Sequence, residues 1–364
     1  MNVHEIDHAI KSIRETLDYQ VYLTPVNFQE ENEKFLEYYK AGKVYNPQYR
    51  YKTFLQSDND EIISQITREL QDSKSGMEKV LSESVTSLSN EIIMYRSIGD
   101  NSAFTENAVR VHGKPDCDLL QSALSVLLDQ STVGSDANEV TAETLAAAIK
   151  ERLDAYGFSW NVVLLDNMAS RISVEPDQHT VYINRNKKFT LKDKTRLLVH
   201  EIDTHVLRSE NGSRRGFEVL SGGTAGSLIH EEGLALYNEW ANGVQDNATI
   251  RLYAARFIAC CKIHLSFYEL FDMLVNYGCS TEQTMYVVSR IKRGISDTSL
   301  PGGFIKDYVY YQGFQEVKEF LLCHPEMYEK MYYGSISIGD IEVLKNEIDN
   351  ELIHQGILLP IQKR

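Results

Sequence analysis

Ile6, Ile10, Ile13 and Leu17 recur at three- and four-residue intervals, the stripe of an amphipathic helix, and the apolar positions from Ile62 to Ile98 keep the same period. The N-terminal third therefore reads as helical, broken by the turn-forming stretches YNPQYRY and HGKPD. A further helical stretch, DLLQSALSVLLDQ, runs into the polar loop STVGSDANE. Near Phe158 the period changes. WNVVLLDNM is rich in β-formers, and RISVEPDQHTVYINR predicts two short alternating strands about the turn PDQH. FTLKDKTRLLVHEIDTHVLRSENG is helical again, with Thr190 as N-cap, Asp193 in the first turn and Gly212 as the stop. The glycine-rich SGGTAG leads to the helix SLIHEEGLALYNEWANG. The rest reads as helices, including a long one from Ile250 to about Tyr277. The pattern predicts an α+β fold, mainly α, with a helical region over 1–135 and a second region over 136–364 that holds the strands and the unusual histidines.

Composition narrows the class. At 364 residues, 43% hydrophobic and 24% charged, the chain matches a soluble globular protein with ample core. No apolar run approaches the roughly 20 residues of a membrane span, and the mixed-charge N-terminus does not read as a secretory signal. Five cysteines without a C-x-x-C pair read as reduced, mostly buried thiols of a cytoplasmic protein. A net charge of −15 argues against nucleic acid as partner. One basic cluster, Arg185, Lys187, Lys188, Lys192, Lys194 and Arg196, precedes His200. It reads either as a solvated helix start or as a collar receiving an anionic peptide.

Two histidine motifs compete for chemistry. VHEIDHAI places His4 and His8 four residues apart, about 40° on a straight helix, whereas LLVHEIDTHVLR separates His200 and His205 by about 140°. Zinc hydrolases hold the ion with three protein ligands and an open position, which the regular spacing suits. Context reverses that preference. The first motif lies at the fraying chain end and fits an ordinary surface helix. The second follows strands and sits in an apolar helix, where one π-type bulge would absorb the extra residue. The spacing thus predicts a helix that is irregular across 201–205. Downstream, HEEGLA offers His230, Glu231 and Glu232, and two adjacent acids among Leu228, Ile229, Leu234 and Ala235 call for a cation. His230 reads as a supporting or packing residue.

These residues resemble the microtubule-associated tyrosine carboxypeptidases and their bacterial relatives, the flavohemoglobin expression-modulating QEGLA motif proteins. The family pattern H-E-I-G-T-H-V-L-R with a following N-G, then Q/E-E-G-L-A, then F-T-K-D-x-x-Y with a nearby G, is met by HEIDTHVLRSENG, EEGLA and GGFIKDYVYYQG in that order. YNPQYRY and VHGKPD are similar to further landmarks, so the resemblance covers nearly the whole chain. It implies a zincin-like metallopeptidase core with a helical N-terminal part. It also implies zinc held by His200, His205 and Glu232, with Glu201 as base, and removal of a C-terminal residue, in the eukaryotic members the terminal tyrosine of α-tubulin. Asp203 stands where the family has glycine, which predicts a strained bulge. Ile305 replaces the usual Thr.

On this reading the protein is a zinc-dependent carboxypeptidase acting on a peptide or protein C-terminus, with Zn²⁺ as its cofactor. Glu201 takes a proton from water and passes it to the leaving amine. Asp203 or a backbone carbonyl orients a ligand imidazole. The substrate carboxylate needs a cation, for which Arg208, Arg290, Arg293 and Lys306 are candidates, with Lys306 and Arg290 leading. Tyr310 is a candidate donor to the oxyanion, against the alternative of a packed aromatic. Two other readings compete: a peptidase or amidase maturing a small bacterial peptide, and a non-catalytic interaction protein with a structural metal. The charge of −15 suits an acidic microtubule surface poorly.

Overall fold

The computed structural model describes residues 1–54, 59–71, 75–129, 138–166, 168, 170–354 and 356–361. It is mainly helical, with a three-stranded mixed sheet and a two-stranded antiparallel pair, Glu139–Val140 with Phe189–Thr190. The chain divides into two compact units.

The first unit comprises 1–74, 81–131 and 250–312. Its opening helix, Val3–Arg14, is started by a capping box in which Asn2 accepts from Glu5 N–H and Glu5 returns the bond. Ile6, Ile10 and Ile13 form its buried face, while His4 and His8 lie exposed. The regular histidine motif is therefore on a surface helix, and its glutamate is spent on the cap. The expected boundary at 135 is not the whole division, because 250–312 returns to the N-terminal helices. Packing explains this. Phe35, on helix Phe28–Lys40, meets Phe267 and Phe271 edge-on at 4.6 and 4.8 Å. YNPQYRY also hydrogen-bonds along 296–298, with Tyr49 N–H on Ser296 O at 2.8 Å and Thr298 Oγ on Pro47 O at 2.7 Å. The single helix expected from Ile250 to Tyr277 is two, Asn247–Cys261 and Phe267–Asn276. Ser266 and Glu269 form a second capping box, which starts the later helix afresh.

The second unit comprises 75–80, 132–249 and 313–364. Thr141 caps the helix Ala142–Tyr156, and Gly157 ends it in the left-handed region. The strands of the larger sheet are β1 (Asn161–Leu165), β2 (Ile172–Glu175) and β3 (Thr180–Asn184), in spatial order β1-β3-β2. β1 runs parallel to β3, and β2 pairs antiparallel with β3 as the hairpin expected about PDQH. Of the loop expected over STVGSDANE, 131–137 lie outside the described residues. Thr190 and Asp193 form the expected capping box, and the chain then stays helical to Ser213. The helix Leu228–Ala241 packs on this long helix. It also presses so closely on the segment after Gln312 that a Cβ at Gly233 would stand 2.3 Å from Gly313 O. The glycine of EEGLA and that of YYQG thus serve one close backbone approach.

The cysteines of the described residues are free thiols, with Cys117 and Cys323 exposed rather than buried. No helix among the described residues is long and apolar enough to cross a membrane.

Candidate metal centre

The helix bearing HEIDTHV is α over Leu191–Leu197, π over Leu198–Val206 and α again over Leu207–Ser213. At roughly 4.4 residues per turn, five residues make little more than one turn. His200 and His205 accordingly lie on one face, with ring centroids 4.9 Å apart at 75°. Asp203 is not strained: among the described non-glycine residues only His179 has positive φ. Its carboxylate receives Arg152 at 3.2 Å and Tyr156 OH at 2.8 Å. Asp203 therefore orients no imidazole, contrary to the expectation from sequence.

That task falls to two glutamates of the Leu228–Ala241 helix. His200 Nδ1 is 2.8 Å from Glu239 Oε1, and His205 Nδ1 is 2.8 Å from Glu231 Oε1. Each carboxylate accepts an Nδ1–H, which leaves both Nε2 lone pairs for an electrophile. Both Nε2 atoms lie near one carboxylate oxygen that would be a fellow ligand: Glu232 Oε2 is 3.7 Å from His200 Nε2 and 3.8 Å from His205 Nε2. The adjacent acids are thus divided, Glu232 among the donors and Glu231 behind His205. A tetrahedral zinc with bonds near 2.1 Å sets its ligands about 3.4 Å apart. One donor atom from each of His200, His205 and Glu232 already lies within 4.8 Å of the others, so a small contraction accommodates the ion.

Charge supports the same fit. Glu239 Oε1 also accepts from Arg196 Nη1 at 3.0 Å, and Arg208 Nη1 donates to Glu231 Oε2. Four carboxylates (Glu201, Glu231, Glu232, Glu239) meet two guanidiniums, a deficit of two positive charges that a divalent cation fills. Asp193 and Asp203 have arginines of their own, Arg171 and Arg152. Burial disfavours charge on His200, yet its bonds to Glu232 and Glu239 outweigh that and push it up to about 10. His205 is raised in the same way: burial opposes, and Glu231 prevails. The pocket attracts positive charge. Burial, helped by Arg208, lowers His230 to about 4, and its Nδ1 accepts from Ile338 N–H. It stands outside the donor set, as expected.

Other predicted residues fare differently. Arg208 is fully buried and engaged on all sides, with Nε on Met331 O at 2.9 Å, Nη2 on Ile336 O at 2.7 Å and Nη1 on Glu231. It supports the site from behind rather than facing a substrate. Arg290, Arg293, Lys306 and Tyr310 belong to the first unit. Arg290 grips Asp307 bidentately at 2.6 and 2.8 Å, so its fork is committed. Arg293 lies over the Phe304 ring and Lys306 over the Tyr19 ring. Tyr310 stacks on Tyr253 at 4.6 Å, the packed-aromatic alternative. Ile305 is buried. In the basic cluster, Arg185, Lys188 and Lys192 face Asp166, Glu139 and Asp246, and Arg196 faces inward to Glu239. These pairings fit a solvated helix start better than a collar. Sequence reasoning missed Glu239, although Glu232 and Glu239 are seven residues apart on one helix, hence only about 20° apart in azimuth.

Fold and site together define a mainly helical protein with a half-buried His-His-Glu centre suited to a divalent metal. The family model of the microtubule-associated tyrosine carboxypeptidases matches residues 35–363, and the chain belongs to that family. It is similar to microtubule-associated tyrosine carboxypeptidase 1 of Rattus norvegicus, 25% identical over 337 residues, or 89% of this chain and 61% of the rat protein. The Mus musculus protein of the same name is 24% identical over 337 residues, or 89% of this chain and 62% of the relative. The Homo sapiens one is 34% identical over 128 residues, 33% of this chain and 26% of the relative. The chain thus spans about three fifths of the length of the rat and mouse proteins.

Proposed function

We propose that this protein is a zinc-dependent carboxypeptidase that removes a C-terminal residue, tyrosine or another aromatic, from a peptide or protein. The observation that carries the reading is the convergence of His200, His205 and Glu232 donor atoms beside Glu201. The names of the relatives support the choice of bond. Strands followed by a histidine-bearing helix accord with a zincin-like core. When bound, zinc supplies Lewis acidity, polarising a carbonyl and making water more acidic. The Glu201 carboxylate acts electrostatically on His200 from beside it, which places it to take a proton from water and deliver it to the leaving amine nitrogen. Glu231 and Glu239 hold the two imidazoles in the Nδ1–H tautomer throughout.

The test is zinc stoichiometry in wild type, His8→Ala and His205→Ala, with release of the last residue from tyrosine-ended peptides by wild type and Glu201→Gln. About one zinc per chain in wild type and His8→Ala, none in His205→Ala, and zinc without turnover in Glu201→Gln is the expected set. Zinc surviving in His205→Ala would sink the assignment. Equal behaviour of Glu201→Gln and wild type would favour a structural metal in a non-catalytic protein.

A further inference from the structure

The π segment is the unusual element of the site, and side chains outside the ligand set hold it. Leu207 N–H bonds to Ile202 O, five residues back, and to Thr204 O, three back, and so passes over Asp203 O, its partner in a regular α-helix. Tyr332 OH takes that carbonyl at 3.0 Å. Thr204 Oγ donates to Val199 O, again five residues back, at 2.9 Å. Asn238 joins the two: its Nδ2 donates to Thr204 Oγ at 2.8 Å and to Tyr332 OH at 2.7 Å, and its Oδ1 accepts from Tyr328 OH at 3.0 Å. Both amide hydrogens are used, and each bridging hydroxyl accepts from Asn238 and donates to the backbone, so the polarity of the network has one solution. Thr204, Asn238 and Tyr332 are buried, at 0%, 2% and 0% exposure, where an orphaned donor is costly.

Register is what this network controls. In α register Leu207 N–H would reclaim Asp203 O, displacing the phenol, and His205 would turn about 140° from His200. In π register both imidazoles face Glu232. We propose that Thr204, Asn238 and Tyr332 are positioning residues that hold the π register of Leu198–Val206 and so hold His205 in the ligand set. The inference rests on reading that set as a metal centre.

The experiment measures zinc affinity of the full chain by chelator competition, and the visible spectrum of the cobalt-loaded protein, for wild type, Tyr332→Phe, Thr204→Val and Thr204→Ser. Melting curves accompany each, and only the folded fraction is titrated. Tyr332→Phe and Thr204→Val should weaken zinc about 10- to 100-fold and alter the cobalt spectrum, while Thr204→Ser, which keeps the hydroxyl, should stay within about threefold. A packing role predicts the reverse order for the two Thr204 variants, since valine preserves volume and serine does not. That reversed order, unchanged affinity in Tyr332→Phe, or zinc loss that merely tracks loss of folded protein would each overturn the proposal. Wild type without zinc would instead sink the metal-centre reading and this inference with it.

Discussion

Replacing Arg208 by methionine separates two roles that the sequence left equivalent. A substrate-reading arginine would lose KM and little else. The buried strut seen here should lose stability, because methionine keeps the aliphatic stem and removes every bond. Glu231 would then be a half-buried carboxylate without its cation, and breaking such a pair costs up to about 3–5 kcal/mol. Met331, Gly334 and Ile336 would also lose the donor to their carbonyls, at about 1 kcal/mol or more each where water cannot replace it. Partial relaxation makes these terms less than additive, so the expected loss is about 4–5 kcal/mol, about a quarter or more of the roughly 5–15 kcal/mol of a typical domain. Urea unfolding followed by far-UV circular dichroism, at fixed zinc, measures it. Arg208→Lys should recover little, since one ammonium cannot span three carbonyls and a carboxylate. Adding Glu231→Gln to Arg208→Met should recover about 1–3 kcal/mol by removing the uncompensated charge. An Arg208→Met protein within about 1 kcal/mol of wild type but with raised KM would refute the strut and restore the substrate role.

Two further outcomes are specific. Glu239 is fully buried, with Oε1 shared by His200 and Arg196 and no hydrogen-bond partner for Oε2 among the described residues. Glu239→Gln keeps an acceptor for His200 and should weaken zinc about tenfold, Glu239→Ala about a hundredfold, and equal affinity in all three proteins would show that His200 needs no orienting carboxylate. In the first unit, burial, with Lys306 and Arg293 nearby, lowers His112 to about 3. A depressed histidine contributes stability that is present above its unfolded pKa near 6.5 and is lost as pH falls toward the folded value, so acidification from pH 7 to 5 should cost about 2 kcal/mol through this group. Urea midpoints at the two pH values should show that slope in wild type and a shallower one in His112→Leu; parallel slopes would contradict it.

What the sequence determined by itself was local. Capping at Asn2 and Thr190 and the hairpin about PDQH depend on neighbours within a few residues, where side-chain chemistry acts directly on the backbone. Even the π segment was legible, because two ligands five residues apart cannot share an ion on an α-helix. The Ser266–Glu269 box that splits the helix expected over 250–277 was equally local, although apolar periodicity obscured it. Tertiary packing decided the rest. Glu231 and Glu232 are adjacent acids on one apolar helix, and only the facing histidines distinguish the carboxylate behind an imidazole from the one in front. Arg208 and Arg290 stood as candidates for the substrate carboxylate until the carbonyls around the one and Asp307 beside the other accounted for their donors. Tyr332 reaches the skipped carbonyl of Asp203 from 129 residues away, a pairing that no periodicity records. Local patterns specify where a backbone turns; which buried charge or hydroxyl completes a site depends on partners brought together only when the chain closes on its core.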